Sequence, residues 1–236
     1  MAGYYINQRQ LLAELATAEP TLRKEADRIM KDEFFQPAVD AMKDEFENHK
    51  VTLEIQGGRD AENITETLGG FREAKDDDSP PNLFSFIGFD AGSNPTMEIE
   101  KRLDPRHPDG PKLVYKGMDR SSRMEFRYEI SAPNEEKIYD ATPVPWGEGN
   151  VSWVQRIEQG IAGIGHFLNR IMLAKGRGLG SASGGGIQIE GDLPGRTFRA
   201  TSYLSAIFNN FLRRVVGRTP QGESAARLSG RINYKE

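Results

Sequence analysis

Cysteine is absent from the 236 residues of this chain. That excludes disulfides, thiolate metal sites and cysteine nucleophiles, and it fits a reducing compartment. Long apolar runs are absent too. No stretch approaches the roughly 18 apolar residues that a membrane-spanning helix needs. The segment from Met1 to Leu15 has no cationic region followed by an apolar one. The expectation is a soluble, unexported protein with no membrane partner. Apolar residues in general are scarce, at 37%, against 28% charged residues. The 25 glycines gather mainly in the second half. A modest core with long arms and loops, some ordering only on a partner, suits that balance. A basic excess is missing as well: the formal net charge is −4, which argues against general affinity for nucleic acid.

The motifs of common chemistries are equally hard to find. Residues 174–186 are rich in glycine, but no lysine and hydroxyl follow Gly184, Gly185 and Gly186 as a phosphate-binding loop requires. A flexible arm is the plainer reading of that composition. His49, His107 and His166 stand alone, none with a second histidine at ligand spacing. No Gly-x-Ser-x-Gly elbow supports a serine nucleophile. The run Asp76, Asp77 and Asp78 lacks the closing glutamate of a calcium loop, so a solvated loop over residues 72–81 accounts for it. The expectation is a chain without catalytic residues, cofactor or metal.

What is present is amphipathic patterning. Residues 7–18 carry leucines at helical spacing up to Pro20, and Thr21 is a plausible cap for a longer helix over residues 22–48, kinked or divided at Pro37. Residues 51–55 alternate as a short strand or arm. Residues 82–89, Asn-Leu-Phe-Ser-Phe-Ile-Gly-Phe, form the densest apolar run and are bounded by breakers on both sides. That pattern predicts a buried strand. Leu83, Ser85, Ile87 and Phe89 would then face the core, and Phe84 and Phe86 a second layer or a neighbouring subunit. Further along, residues 96–103 suggest a short helix and residues 112–116 a short strand. Residues 124–130 alternate strictly, with Met124, Phe126, Tyr128 and Ile130 on the apolar face. This is the clearest half-exposed antiparallel strand, with an edge a neighbour could extend. A helix is expected from residue 153 to 172 with Gly160 and Gly163 inside it, implying close approach of another element or a partial break. Residues 187–190, starting at Ile187, alternate like a strand. A last helix from Ser202 carries Arg213 and Arg214 near its C-terminal end, where cations suit the helix dipole.

The fold class expected from these elements is α+β: a small antiparallel sheet packed with amphipathic helices, plus extended arms and loops. Residues 1–216 read as one domain with a glycine-rich arm at 174–195, and residues 217–236 as an extended tail. Phe84, Phe86, Met124, Tyr128, Gly160, Gly163, Gly184, Gly185, Gly186, Ile187, Arg213 and Arg214 are the candidates for subunit or partner contact.

Several of these stretches together resemble a known group. They are the amphipathic helix ending Phe46-Glu47-Asn48-His49, residues 51–55, Asn63-Ile64-Thr65-Glu66-Thr67-Leu68-Gly69-Gly70 and residues 82–89. Thr142-Pro143-Val144-Pro145-Trp146, the arm at residues 183–188 and the helix opening Tyr203-Leu204-Ser205 fit the same pattern. The combination resembles the structural proteins of the head–tail junction, the neck and tail-completion group, of long-tailed bacteriophages. The resemblance implies a homo-oligomeric ring, six- or twelve-fold, bound to connector, tail-tube or sheath proteins. DNA would pass through its channel without specific binding. It carries no catalytic residues. A tail terminator capping the tube is the alternative within that class. A DNA-processing or hydrolytic virion enzyme is the alternative outside it.

Overall fold

The computed structural model describes residues 8–67, 82–119, 125–145, 151–160, 166–169, 187–190 and 200–217. The fold is α+β, with helices and small two-stranded antiparallel sheets. The chain divides into two compact units. One comprises residues 1–40, 112–131 and 212–236; the other comprises residues 41–111 and 132–211.

Helix α1 runs Gln8–Ile29 straight through Pro20, so the expected stop at Pro20 and cap at Thr21 are corrected. Proline removes one backbone hydrogen bond, and Pro20 is exposed. A π-helical turn, Met30–Phe35, follows. It gives way to α2, Gln36–Glu47. The N–H of Gln36 donates to the carbonyl of Lys31, five residues back. This widened turn draws the preceding carbonyls away from the ring of Pro37, and it is the form the expected interruption takes.

Strands β1, Lys112–Asp119, and β2, Glu125–Ser131, pair antiparallel. Leu113, Tyr115 and Met118 share a face with Ile130, Tyr128 and Phe126, while Lys112, Val114 and Lys116 point outward with Glu125, Arg127 and Glu129. A bulge makes this possible. The register steps from Tyr115 opposite Tyr128 to Gly117 opposite Arg127. The extra residue moves Met118, which an unbroken alternation would turn outward, onto the apolar face. The apolar face lies on α1. Tyr128 donates its hydroxyl hydrogen to Asp27 at 2.7 Å, and the Arg23 guanidinium sits 4.3 Å from the centre of the Tyr115 ring. An isolated hairpin is marginal in water; the Tyr128 and Tyr115 contacts tie this one to α1.

The second unit holds most of the buried aromatics. Its elements are the end of α2, then α3, Lys50–Gln56, a 3₁₀ turn at Gly58–Asp60, α4, Leu83–Ile87, and α5, Met97–Arg102. They continue with α6, Glu135–Asp140, α7, Trp153–Gln159, β3, His166–Asn169, β4, Ile187–Glu190, and α8, Leu204–Gly217, whose last turns fall in the first unit. Two expected strands are corrected to helices. Residues 51–55 bury Val51, Thr52, Glu54 and Ile55 and expose Leu53, a spacing of one, three and four that only a helix brings to one face. Their β-branched composition points the other way, and tertiary packing overrides it. Residues 83–87 likewise form α4. Asn82 caps it by accepting from the Ser85 N–H at 2.9 Å. Gly88, at φ 87°, ends it in the left-handed region.

The long helix expected from residue 153 is also corrected: α7 stops at Gln159, with Gly160 at φ 80°. Residues 166–169 are then a strand paired with the expected strand at 187–190. Phe89 meets Trp153 edge to face at 5.6 Å and Phe84 at 5.5 Å. Phe46 stacks on Tyr203 at 6.0 Å. Each such ring pair adds roughly 0.5–1.5 kcal/mol beyond its buried area.

Gly117 offers a direct test of the bulge. Its φ of 126° lies where side chains are strained, although a Cβ there would meet open space. Gly117→Ala is expected to destabilise the protein by about 1–3 kcal/mol through backbone strain alone. Denaturant unfolding beside Gly217→Ala, a glycine without positive φ and with equally open surroundings, isolates that strain.

Candidate functional site

Two buried clusters of titratable and polar groups lie within the second unit. The first is a buried knot beneath α4. Glu54 on α3 is 0% exposed. One carboxylate oxygen accepts from the Leu83 N–H at 2.7 Å and the other from the Thr65 N–H at 2.9 Å. Burial raises its pKa, and the hydrogen bonds from Leu83 and Thr65 partly oppose that. Asn82 completes the knot. Its amide nitrogen faces the carbonyls of Gly58, Arg59 and Ala61 at 3.1, 2.9 and 2.8 Å. Its oxygen holds the first turn of α4. The 3₁₀ turn, the segment to Thr65 and α4 are thus tied by two side chains.

The second cluster surrounds Glu158 on α7. One oxygen accepts from the Tyr203 and Ser205 N–H groups at 3.2 and 2.8 Å, at the start of α8. The other accepts from the Tyr139 hydroxyl at 2.9 Å. A carboxylate suits a helix N-terminus, and here it takes the role expected of Ser202. Burial, then the nearby Glu158 charge, raises the pKa of Glu135. Burial and Glu158 together push the Tyr139 phenol up. Tyr203, fully buried, shares a 2.7 Å hydrogen bond with Thr52 and lies 4.9 Å from His49. His49 caps α3: its Nδ1 accepts from the Val51 N–H at 3.2 Å. That acceptor role requires a ring nitrogen without a proton, and burial accordingly lowers the pKa. Glu158 and His49 are committed to helix ends, at the start of α8 and of α3, and hold backbone in place there.

The contact candidates separate clearly. Phe84 and Phe86 are 1% and 3% exposed within the chain itself, so their expected role facing a neighbouring subunit is corrected. In a helix they do not share an outward face, and α4 is buried all round. Tyr128 is also turned inward, onto Asp27 of α1, and presents no free surface to a partner. Gly160 ends α7 and is buried, rather than lying in the interior of a longer helix. Arg213 is exposed on α8, and Arg214 is half-buried in its last turn. Ile187 opens β4 opposite Asn169. Met124, Gly163, Gly184, Gly185 and Gly186 lie outside the described residues, as does the run Asp76–Asp78. Among the described residues no group of three or more histidine, aspartate or glutamate side chains could hold a metal ion. No described helix is long and apolar enough to cross a membrane.

Among the described residues, the β1–β2 ribbon is the longer of two sheets with open edges. It is a sheet of two strands, so each strand has one edge without a partner strand among the described residues. Val114 on its outward face is 43% exposed. The sequence marks this edge only through the alternation of β2. The knots at Glu54 and Glu158 were missed. Asn82 and Gly88 bracketing residues 83–87 are a helix-capping signal that could have found the first. Comparison with family models, curated proteins and solved structures gave no match.

Two outcomes test the knots. Asn82→Asp keeps a helix-capping oxygen but sets a carboxylate against three carbonyls. It is expected to lower stability by at least about 1–3 kcal/mol, whereas a role limited to capping leaves it nearly neutral; urea unfolding separates these. For His49, the lowered pKa means that the unfolded chain takes up its proton first as pH falls. Its contribution is therefore complete above the ordinary histidine value and is lost as pH drops through about 6.5 toward the folded value. The stability gap between the wild type and His49→Asn, which retains a cap, should shift against the wild type between pH 7 and pH 5.

Proposed function

We propose that the chain is a structural assembly subunit of the neck or upper tail of a bacteriophage virion, forming a ring that joins the head connector to the tail and surrounds the DNA channel. The observation that supports this reading best is the β1–β2 ribbon: two strands of eight and seven residues with unpaired outer edges among the described residues. Unpaired edges of that length are a ready template for another chain, and proteins that do not use them cover or shorten them. The resemblance of residues 21–92 and of the later segments to head–tail junction proteins supplies the setting. A net charge of −4 suits a lumen that lets DNA slide, since phosphate affinity depends on neutralising cations. Neighbours above and below would be connector, tube or sheath proteins. A ring closes only where the rotation of a heterologous contact allows it.

Negative-stain imaging and light scattering of the purified full chain test this. Closed rings, or a mass that is a multiple of the chain mass under conditions where DNA is neither retained nor cut, are expected. A strict monomer at all concentrations that cleaves DNA in the presence of a metal would instead favour a virion enzyme.

A further inference from the structure

The ribbon carries more information than the existence of an edge. The bulge at Gly117 bends β1, and a bulged edge is a poor template. β2 is regular from Glu125 to Ser131 and meets β1 without a gap on its own side. Its outward residues are Glu125, Arg127, Glu129 and Ser131, all exposed. Arg127 and Glu129 have side chains 54% and 46% exposed while pairing within the ribbon, Arg127 with Asp119 and Glu129 with Lys116.

We infer that the outer edge of β2 pairs antiparallel with β2 of a second copy of this chain, about a two-fold axis at Tyr128. The argument is one of charge and parity. Residues directly opposite in an antiparallel pair share a face, so outward residues must meet outward residues and the register can shift only in steps of two. With Tyr128 on the axis, Arg127 lies opposite Glu129 of the second copy, and Glu129 opposite its Arg127. Phe126 meets Ile130, and Glu125 meets Ser131. A shift of two residues one way sets Arg127 against Arg127 and Glu125 against Glu129. The opposite shift sets Glu129 against Glu129. Like charges directly opposite are unfavourable, so of these three registers the centred one, which also pairs the most residues, is the one free of them. In that register the Lys116–Glu129 ion pair of one copy lies beside the Arg127–Asp119 ion pair of the second, and the same again by symmetry. The bond pattern uses backbone alone, and the side chains select the register.

This inference stands on the ribbon and does not depend on the phage setting. It goes beyond that reading, because a two-fold contact joins two copies and closes. A ring would need a second, heterologous surface.

The absence of cysteine makes the register directly readable. The full-length single-substitution proteins Arg127→Cys and Glu129→Cys are prepared separately, mixed and oxidised. Directly opposite positions bring Cβ atoms within reach of a disulfide, and diagonal ones hold them too far apart. The mixed disulfide is expected to form several-fold faster than either symmetric one. Equal rates for the three species, or faster symmetric ones, overturn the register. Sedimentation of the unmodified chain across concentrations gives the second measurement, with a monomer–dimer step expected. Arg127→Glu should weaken that step at least several-fold, while Arg127→Lys, which keeps the charge, should preserve it. A chain that stays monomeric throughout overturns the contact. One that assembles without the mixed disulfide overturns this contact and leaves assembly through another surface standing.

Discussion

The buried carboxylate of Glu54 is the constraint on which the second unit depends. An ionisable side chain with no exposure is costly unless its oxygens are occupied. Here both are, by the N–H groups of Leu83 and Thr65. Those two groups belong to segments that have no regular hydrogen-bond ladder between them. Asn82 then ties the same region to the carbonyls of the turn after α3. With the start of α4 fixed in this way, Leu83, Phe84, Phe86, Ile87 and Phe89 all enter the core. Phe89 reaches Trp153 of α7, and α7 in turn supplies Glu158 to the first turn of α8. A helix of five residues is too short to stand by propensity. Its caps and its burial hold it.

How far this was legible in the sequence follows from the kind of signal each element carries. The alternation of β2 is a matter of period, and Glu125–Ser131 forms as expected. Amphipathic α2 and α8 follow from their spacing in the same way. The α+β class follows from those elements. Residues 51–55 and 83–87 misled because valine, isoleucine and phenylalanine favour strands on average, and a run of five buried residues has no readable period. What decided them was long-range: a carboxylate from α3 meeting a backbone N–H 29 residues away. Pro20 shows the converse: it reads as a stop, but α1 absorbs it, whereas the interruption expected at Pro37 takes the form of the widened turn before it. As for the candidate site, strand alternation singles out Phe84, Phe86 and Tyr128; the first two lie in a helix buried all round, and Tyr128 faces α1. The bulge at Gly117, which gives the ribbon its two distinct faces, left no mark beyond a glycine in a strand.

The division of labour is therefore simple. The clusters of titratable groups hold helix ends, and their perturbed pKa values are the cost of those burials. Perturbed groups often mark active sites, but around Glu158 and Glu54 the partners are backbone N–H groups and phenols. The ribbon is where the described chain offers unused hydrogen-bonding capacity with an ordered pattern of charge.

Amide hydrogen exchange measured on the full chain at low and high protein concentration tests this account most directly. The account predicts that the amides of Glu125–Ser131 pointing away from β1 gain protection as concentration rises, while those of α4 stay protected throughout. Exchange at β2 that does not change with concentration would contradict it.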